Sequence, residues 1–429
     1  MKRLPLLFLL LAAGCGYRAP LSRTVITEDP EQFVSVREPY RELAALVTSD
    51  TGMPPTDSNT VGIVTDQQQK WELMKRDLEG ASESVYIDVY RFCPDSCGSI
   101  VAGILKEKSA AGADVRVILD KPANAKDRVQ LEDLRKDSID VRMFWFPSWP
   151  QDFVIPKLGV HRDHRKIMLV DGSVAYMGGR NIRDAYFLTW RDADVRISGP
   201  AVYDLGKVYM ENQERVAPEL PQIAVSPESS RKAVCDTVPG LKQYPGTTVQ
   251  IIPESPWDKH LPLRNCFEWA MTHARRYFYF YTPYSPLPQS SLKAMKDAAA
   301  RGVDVRWIVP LNCDEPVSKW ISESLYTELL AAGIRIFEWQ GEMIHAKEFV
   351  TDDYLLSIGS SNMDNLSFFL NLEVDALVYN EEFAADARKL FVEDAQTRCR
   401  EVTLEMVRRW NVFRKFRNWL ARATVGSCT

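Results

Sequence analysis

Ala110-Ala-Gly-Ala-Asp-Val-Arg-Val-Ile-Leu119 returns later in the chain as Ala300-Arg-Gly-Val-Asp-Val-Arg-Trp-Ile-Val309. Each copy closes a helix-like segment, Ile100 to Ala111 and Leu292 to Arg301, and runs into an apolar strand-like stretch. Ahead of each helix stands another buried-strand pattern, Val85-Tyr-Ile-Asp-Val-Tyr90 and Tyr277-Phe-Tyr-Phe-Tyr281. Strand, helix, glycine and strand is the order of a βαβ unit, whose sheet is covered on both faces and so reads as apolar runs. A third strand follows each unit, Val141 to Trp145 and Ile334 to Phe337. A repeat constrains architecture more strongly than any single motif. The chain is therefore read as α/β, with two similar halves at 60–217 and 246–400 in a pseudo-twofold arrangement. Residues 218–262 hold eight of the 25 prolines and little periodicity, which sets the linker at 218–245.

Beyond the third strand, each half carries the same constellation. The first is His164-Arg-Lys166-Ile-Met-Leu-Val-Asp171, then Gly178-Gly179-Arg180-Asn181, then Asp192. The second is His345-Ala-Lys347-Glu-Phe-Val-Thr-Asp352, then Gly359-Ser360-Ser361-Asn362, then Glu373. Counted from each His, Lys stands at +2, Asp at +7, Gly at +14, Asn at +17 and an acid at +28. His and Lys two apart on a strand share a face, because side chains alternate. Asp171-Gly172 and Asp352-Asp353 read as turns, after which Val174 to Met177 and Tyr354 to Ile358 return antiparallel. The glycines let the backbone leave that strand tightly and bring Asn beside Lys. Pseudo-twofold packing would bring two imidazoles, two ammoniums and two amides to one place. Such a site suits a phosphate without a metal, the lysine pair supplying the countercharge. Zinc fits poorly, since Lys is not a usual ligand and no further His or Cys recurs. His161 falls outside the repeat and reads as a surface or supporting residue.

The doubled H-x-K-x4-D-x6-G-[GS]-x-N pattern resembles the phospholipase D superfamily over residues 60 to 400. Its flanks, Trp190-Arg-Asp-Ala-Asp-Val-Arg-Ile197, Thr282-Pro-Tyr284 and Leu370-Asn-Leu-Glu373, are most similar to bacterial cardiolipin synthases and related phosphatidyltransferases. The resemblance implies two phospholipase D-like halves and phosphatidyl transfer through a phosphohistidine, most simply cardiolipin made from phosphatidylglycerol, with no cofactor. One His attacks phosphorus while the other protonates the departing alcohol and then activates the incoming one. His164 is favoured as nucleophile and His345 as general acid. Lys166, Lys347, Asn181 and Asn362, with Ser360, would hold the phosphate oxygens, and Asp192 and Glu373 would orient the imidazoles. Asp171 and Asp352 complete the catalytic set by motif, although a purely local pairing at their turns is the competing reading. Two departures stand out: Gly179 occupies a place where many superfamily members have Ser, and a lipoprotein-like signal stands at the N-terminus where many cardiolipin synthases have two membrane-spanning helices. The alternative activity is an envelope phospholipase D or a phosphodiesterase or nuclease of the same superfamily.

The chain has 429 residues, 45% hydrophobic and 26% charged, with 53 basic against 58 acidic side chains and a formal charge of −5. That balance excludes disordered, collagen-like and coiled-coil classes and speaks against bulk nucleic-acid binding, so no nucleic acid is expected as a partner. Both copies of the signature lie in one chain, so a monomer suffices. Lys2 and Arg3 precede the apolar run Leu4 to Ala13, then Gly14 and Cys15. This reads as a signal peptide over 1–15, too short to span a bilayer. A Cys after Leu11-Ala12-Ala13-Gly14 resembles the bacterial lipoprotein signal, which implies lipidation of Cys15 and a membrane-anchored protein of the cell envelope; an ordinary signal with an incidental Cys is the alternative. Residues 16–59 are expected to be a tether. Seven further cysteines form no disulfide framework, though Cys93 and Cys97 could pair in an oxidising compartment.

Two further segments suit phospholipid substrates on an anionic membrane surface. Phe144-Trp-Phe-Pro-Ser-Trp-Pro150, absent from the second half, is either core or a lipid-facing loop. The tail from Met406, within a C-terminal segment at 401–429, interleaves Arg408, Arg409, Arg414, Lys415, Arg417 and Arg422 with Trp410, Phe413, Phe416 and Trp419 and has no acid. It reads as a basic aromatic helix, interfacial in one reading and packed on the domain in the other.

Overall fold

The computed structural model describes residues 27–126, 128–147, 160–232 and 237–424. The first half contributes strands β1 (Thr56–Val64), β2 (Ser84–Val89), β3 (Asp114–Asp120), β4 (Asp140–Phe144), β5 (Phe146–Pro147), β6 (Val160–Asp163), β7 (Lys166–Val170), β8 (Val174–Gly178) and β9 (Asp194–Ser198). The second contributes β10 (Tyr244–Glu254), β11 (Tyr277–Tyr281), β12 (Asp304–Pro310), β13 (Arg335–Trp339), β14 (Glu348–Thr351), β15 (Leu355–Gly359), β16 (Asn371–Tyr379) and β17 (Cys399–Val402). Pairing runs β4-β3-β2-β7-β8-β9-β1 in one half. In the other it runs β13-β12-β11-β14-β15-β16-β10. The two series match strand for strand, and the antiparallel β1–β10 ladder joins them. This is the pseudo-twofold arrangement expected of the repeat.

The repeated Gly-x-Asp-Val-Arg has a local cause. Gly112 and Gly302 follow helices Ser96–Ala110 and Gln289–Ala300 with φ of 97° and 88°, a left-handed conformation that glycine adopts without Cβ strain. Two residues later β3 and β12 begin, and each Asp pairs with the Arg two positions on, on the same face. Arg116 Nη2 to Asp114 and Arg306 Nη2 to Asp304 are both 2.6 Å. Tyr86 and Tyr279, one strand over, donate to the same carboxylates at 2.9 and 2.7 Å.

Strand alternation divides the interior into three cores. Tyr86, Tyr277, Tyr279 and Tyr281 point into one core that spans both halves beneath helices Ala201–Val216 and Glu381–Thr397. Val85, Ile87 and Val89 face a core under helices Gln67–Gly80 and Ser96–Ala110. Phe278 and Phe280 face a third under helices Tyr40–Thr51, Pro262–His273, Gln289–Ala300 and Pro316–Ala331.

Several sequence expectations are corrected. The stretch 16–59 is no tether where it is described: helix Tyr40–Thr51 buries Tyr40, Leu43, Ala44 and Val47 in the second half's core, and β1 starts at Thr56. Those four positions stand at i, i+3, i+4 and i+7, a helical spacing legible in the sequence but outweighed there by the scattered Pro, Ser, Thr and Asp around it. Phe144 is wholly buried in the shared core and Phe146 packs against Trp257 at 5.5 Å, while Trp145 is outward; Ser148, Trp149 and Pro150 lie outside the described residues. No disulfide joins Cys93 and Cys97. The signal segment 1–15 with Cys15 is likewise outside the described residues. Among the described residues no helix is long and apolar enough to cross a membrane. The tail forms β17 on the edge of β13, then helices Leu404–Arg408 and Val412–Thr424.

Candidate active site

Each signature His sits just ahead of its strand, β7 or β14, and is held by a backbone bridge from the other half. His164 N donates to Leu372 O at 3.0 Å, and His345 N donates to Arg191 O at 2.7 Å. Leu372 and Arg191 directly precede the two acids. The bridges extend into short parallel pairings, Leu372 with Asp163 and Arg191 with Ile344. The acids therefore cross over. Glu373 lies against Nδ1 of His164 at 2.9 and 3.0 Å, and Asp192 against Nδ1 of His345 at 2.8 Å. Neither half orients its own imidazole.

With each carboxylate on Nδ1, that nitrogen carries the proton and Nε2 is left as the reactive atom. Lys347 Nζ lies 2.9 and 3.0 Å from the two ring nitrogens of His345 and donates to its carbonyl at 2.5 Å. Near-equal distances place the ammonium over the ring, not on a lone pair. Lys166 Nζ donates to the His164 carbonyl in the matching way. Each His precedes its strand, so the contact comes from the Lys side chain reaching back to the His and not from strand alternation.

Burial dominates the electrostatics. It holds His164 well below the usual imidazole range, helped by Lys166 and Lys347, and pushes His345 down to about 4, helped by Lys347. Burial also pulls Lys166 down to about 7 and Lys347 to about 8. It pushes Glu373 up to about 7, whereas His345 and Lys347 outweigh burial at Asp192 and hold it below the carboxylate range. The site is a cationic pair poised near neutrality beside two neutral imidazoles. An entering phosphodiester would restore charge to the lysines and favour a proton on His345.

The halves differ in detail. The His164 side chain is 13% exposed and faces Tyr90 edge-on at 4.9 Å. That of His345 is 3% exposed, between Tyr186, Trp190 and Tyr284 at 5.2, 5.7 and 5.8 Å. Asn362 makes no side-chain hydrogen bond, and its Oδ1 is buried without a partner. Asn181 is engaged, donating to Tyr186 OH at 2.8 Å and accepting from Arg91 N at 3.1 Å, which leaves one N–H for a ligand.

Three sequence assignments need correction. Ser360 Oγ is fully buried and donates to Glu373 Oε2 at 2.6 Å, so its hydroxyl braces the acid instead of a phosphate. Asp171 and Asp352 stand at the far ends of β7 and β14 from the lysines. Asp171 accepts from the backbone N–H of Ser82, Glu83 and Ser84, and Asp352 from those of Arg275, Arg276 and Tyr277. They anchor hairpin turns and do not reach the imidazoles.

Other participants had no role assigned from the sequence, although Arg180, Asp194, Tyr284, Ser361 and Asn371 stand within its motif stretches. Ser367 and Asn371 also donate to Glu373, at 2.8 and 3.2 Å. Arg180 Nη1 meets Asp194 at 2.5 Å, and Ser361 Oγ donates to Asp375 at 2.6 Å. Asp194 and Asp375 share the offset +30 from their His, a signal available in the repeat. Tyr90 and Tyr284 come from different positions after β2 and β11, so no spacing rule could pair them.

Comparison with known proteins agrees with this geometry. A family model described as "Cardiolipin synthase, PLD-like domain" matches residues 74–213 and 269–395. The cardiolipin synthase of Clostridium perfringens (strain SM101 / Type A) is 27% identical over 377 residues, 85% of this chain and 76% of that protein. Cardiolipin synthase 1 of Bacillus anthracis is 29% identical over 405 residues, 91% and 76% of the two chains. The fold is that of the phosphatidylserine synthase of Haemophilus influenzae Rd KW20, with a TM-score of 0.64 at 13% identity over 85% of this chain and 93% of that one. With the doubled signature, the crossed His–acid pairs and a family match over both halves, the chain belongs to the cardiolipin synthase family of phospholipase D-like proteins.

Proposed function

We propose that the protein transfers a phosphatidyl group between phospholipids through a phosphohistidine, making cardiolipin and glycerol from two phosphatidylglycerol molecules. The crossed His–acid arrangement carries this reading, because it leaves two free Nε2 atoms beside two buried lysines. The more exposed His164 is the nucleophile. Its Nε2 forms a bond to phosphorus as the P–O bond to the departing glycerol breaks, and His345, made imidazolium by a proton taken up with the bound phosphodiester, gives that oxygen its Nε2 proton. Neutral His345 then takes the proton from a hydroxyl of the second phosphatidylglycerol. The new oxygen attacks phosphorus and the P–N bond breaks, which returns His164 unchanged. Lys166, Lys347 and Asn362, with the remaining N–H of Asn181, hold the non-bridging oxygens. Asp192 and Glu373 keep the imidazoles in register.

The protein works at the envelope membrane, anchored through Cys15. The basic start, the ten-residue apolar run and the small residues before Cys15 support this. Lipid alcohols at high local concentration and a site shielded by aromatic rings favour transfer over hydrolysis. The test is purified protein with phosphatidylglycerol vesicles and a chelator, followed by mass spectrometry. Cardiolipin with released glycerol is expected. Phosphatidic acid as main product would make it a phospholipase, and cleavage of nucleic acid without lipid turnover would make it a nuclease.

A further inference from the structure

Helix Val412–Thr424 is amphipathic in the reverse of the usual sense for a helix packed on a domain. Its charged face is turned inward: Arg414 and Arg417 reach Glu323 at 2.7 and 2.9 Å, Arg422 reaches Glu328 at 3.4 Å, and Asn418 and Ala421 are buried. Its outward face carries Val412, Phe413, Phe416 and Trp419, which are 74%, 83%, 58% and 60% exposed. Arg414, Arg417 and Arg422 are thus occupied by the partner helix Pro316–Ala331, while Lys415 stays exposed among the outward apolar side chains and Arg408 and Arg409 are exposed just before the helix. A contiguous aromatic patch of this kind is costly in water and suits an apolar phase.

Beneath this face opens a cleft of about 960 Å³. Phe413 belongs both to the exposed face and to the cleft wall. At the other end the wall includes Trp190, whose ring packs on His345, and Asp314, which accepts from Tyr284 OH at 2.7 Å. Between them Leu311, Trp320 and Met343 give the lining apolar surface, interleaved with Lys319, Arg414 and Arg417, so the wall suits a phospholipid that carries both acyl chains and an anionic headgroup. One surface therefore runs from the outward aromatics to Trp190, the ring that covers His345.

We infer that Val412–Thr424 inserts its aromatic face into the bilayer and that the cleft beneath it is the path by which a phospholipid reaches His345. This rests on the phosphatidyl-transfer reading. It also gives membrane binding an apolar component that survives added salt, beside the salt-sensitive contribution of exposed Arg408, Arg409 and Lys415.

The test uses the full chain with Cys15→Ser in every variant, so that no acyl anchor contributes. Phe416→Ser with Trp419→Ser should weaken binding to phosphatidylglycerol vesicles about 10-fold or more and slow turnover of long-chain lipid. Turnover of a monomeric short-chain phosphatidylglycerol should be unchanged. Asn312→Trp, which fills the cleft at a lining position, should keep vesicle binding but slow turnover of both lipids by about 10-fold. Unaltered vesicle binding in the double variant overturns the inserted face, and unaltered long-chain turnover in Asn312→Trp overturns the path. Failure of the parent chain to turn over either lipid overturns the transfer reading and the path with it; vesicle binding still reads the aromatic face separately.

Discussion

Gly179 and Ser360 occupy one place in the repeat, and the acids explain why they differ. A Cβ on Gly179 would lie 2.2 Å from Asp192 Oδ1, so the shorter acid fills the room that a side chain would need. Across the axis, Ser360 instead reaches out to Glu373. Gly179→Ala should displace Asp192 and lower kcat by about 10²-fold, since about 1 Å of misplacement can cost that much. Circular dichroism should show an intact fold; wild-type turnover would refute the packing argument. The lysines set the pH response. With values of about 7 and 8, the ammoniums of Lys166 and Lys347 are lost as pH rises, so kcat/KM should fall on the alkaline side from near neutrality. Bound anion raises both values, so the alkaline limb of kcat should lie higher. A profile of kcat/KM that stays flat through alkaline pH would contradict the two buried cations.

At the level of elements, the β7–β8 and β14–β15 hairpins carry chemistry at one end and anchoring at the other. Lys166 and Lys347 stand where the hairpins begin, whereas Asp171 and Asp352 tie the turns to the starts of β2 and β11. Asp171→Ala should leave backbone N–H groups short of their acceptor and cost about 1–3 kcal/mol of stability. Its rate at a temperature where it remains folded should stay within a few-fold of wild type. Urea titration and steady-state assay separate the two effects, and a loss as deep as that of Lys166→Ala would restore Asp171 to the chemistry. The +7 spacing repeats because both hairpins need the same anchor.

Over the whole molecule, each imidazole is braced by a residue from the opposite half. Glu373→Gln should cripple His164, and Asp192→Asn should cripple His345, each by about 10²–10⁴-fold in kcat. Either half isolated as a monomer has a His without its acid and a single lysine, so it should be inactive. Mixing the halves should restore turnover to the extent that the β1–β10 ladder and the shared core reassemble. Near-full activity in one isolated half would refute the composite site.

Much of this was legible in the chain itself. Doubled βαβ grammar, left-handed Gly112 and Gly302, and an identical set of offsets from each His are local or periodic facts, so they identify two matching halves and their reactive residues. The sequence could not say which acid serves which His, because Asp192 and His345 lie 153 residues apart and meet only across the axis. Nor could it separate Asp171 from Lys166, which share one motif but stand at opposite ends of a strand. The tail shows the same limit: its composition reads as basic and aromatic, but only packing against Glu323 and Glu328 turns Arg414, Arg417 and Arg422 inward and Phe413, Phe416 and Trp419 out. Periodicity records which residues share a face, whereas the partner each face meets is decided by the folded chain.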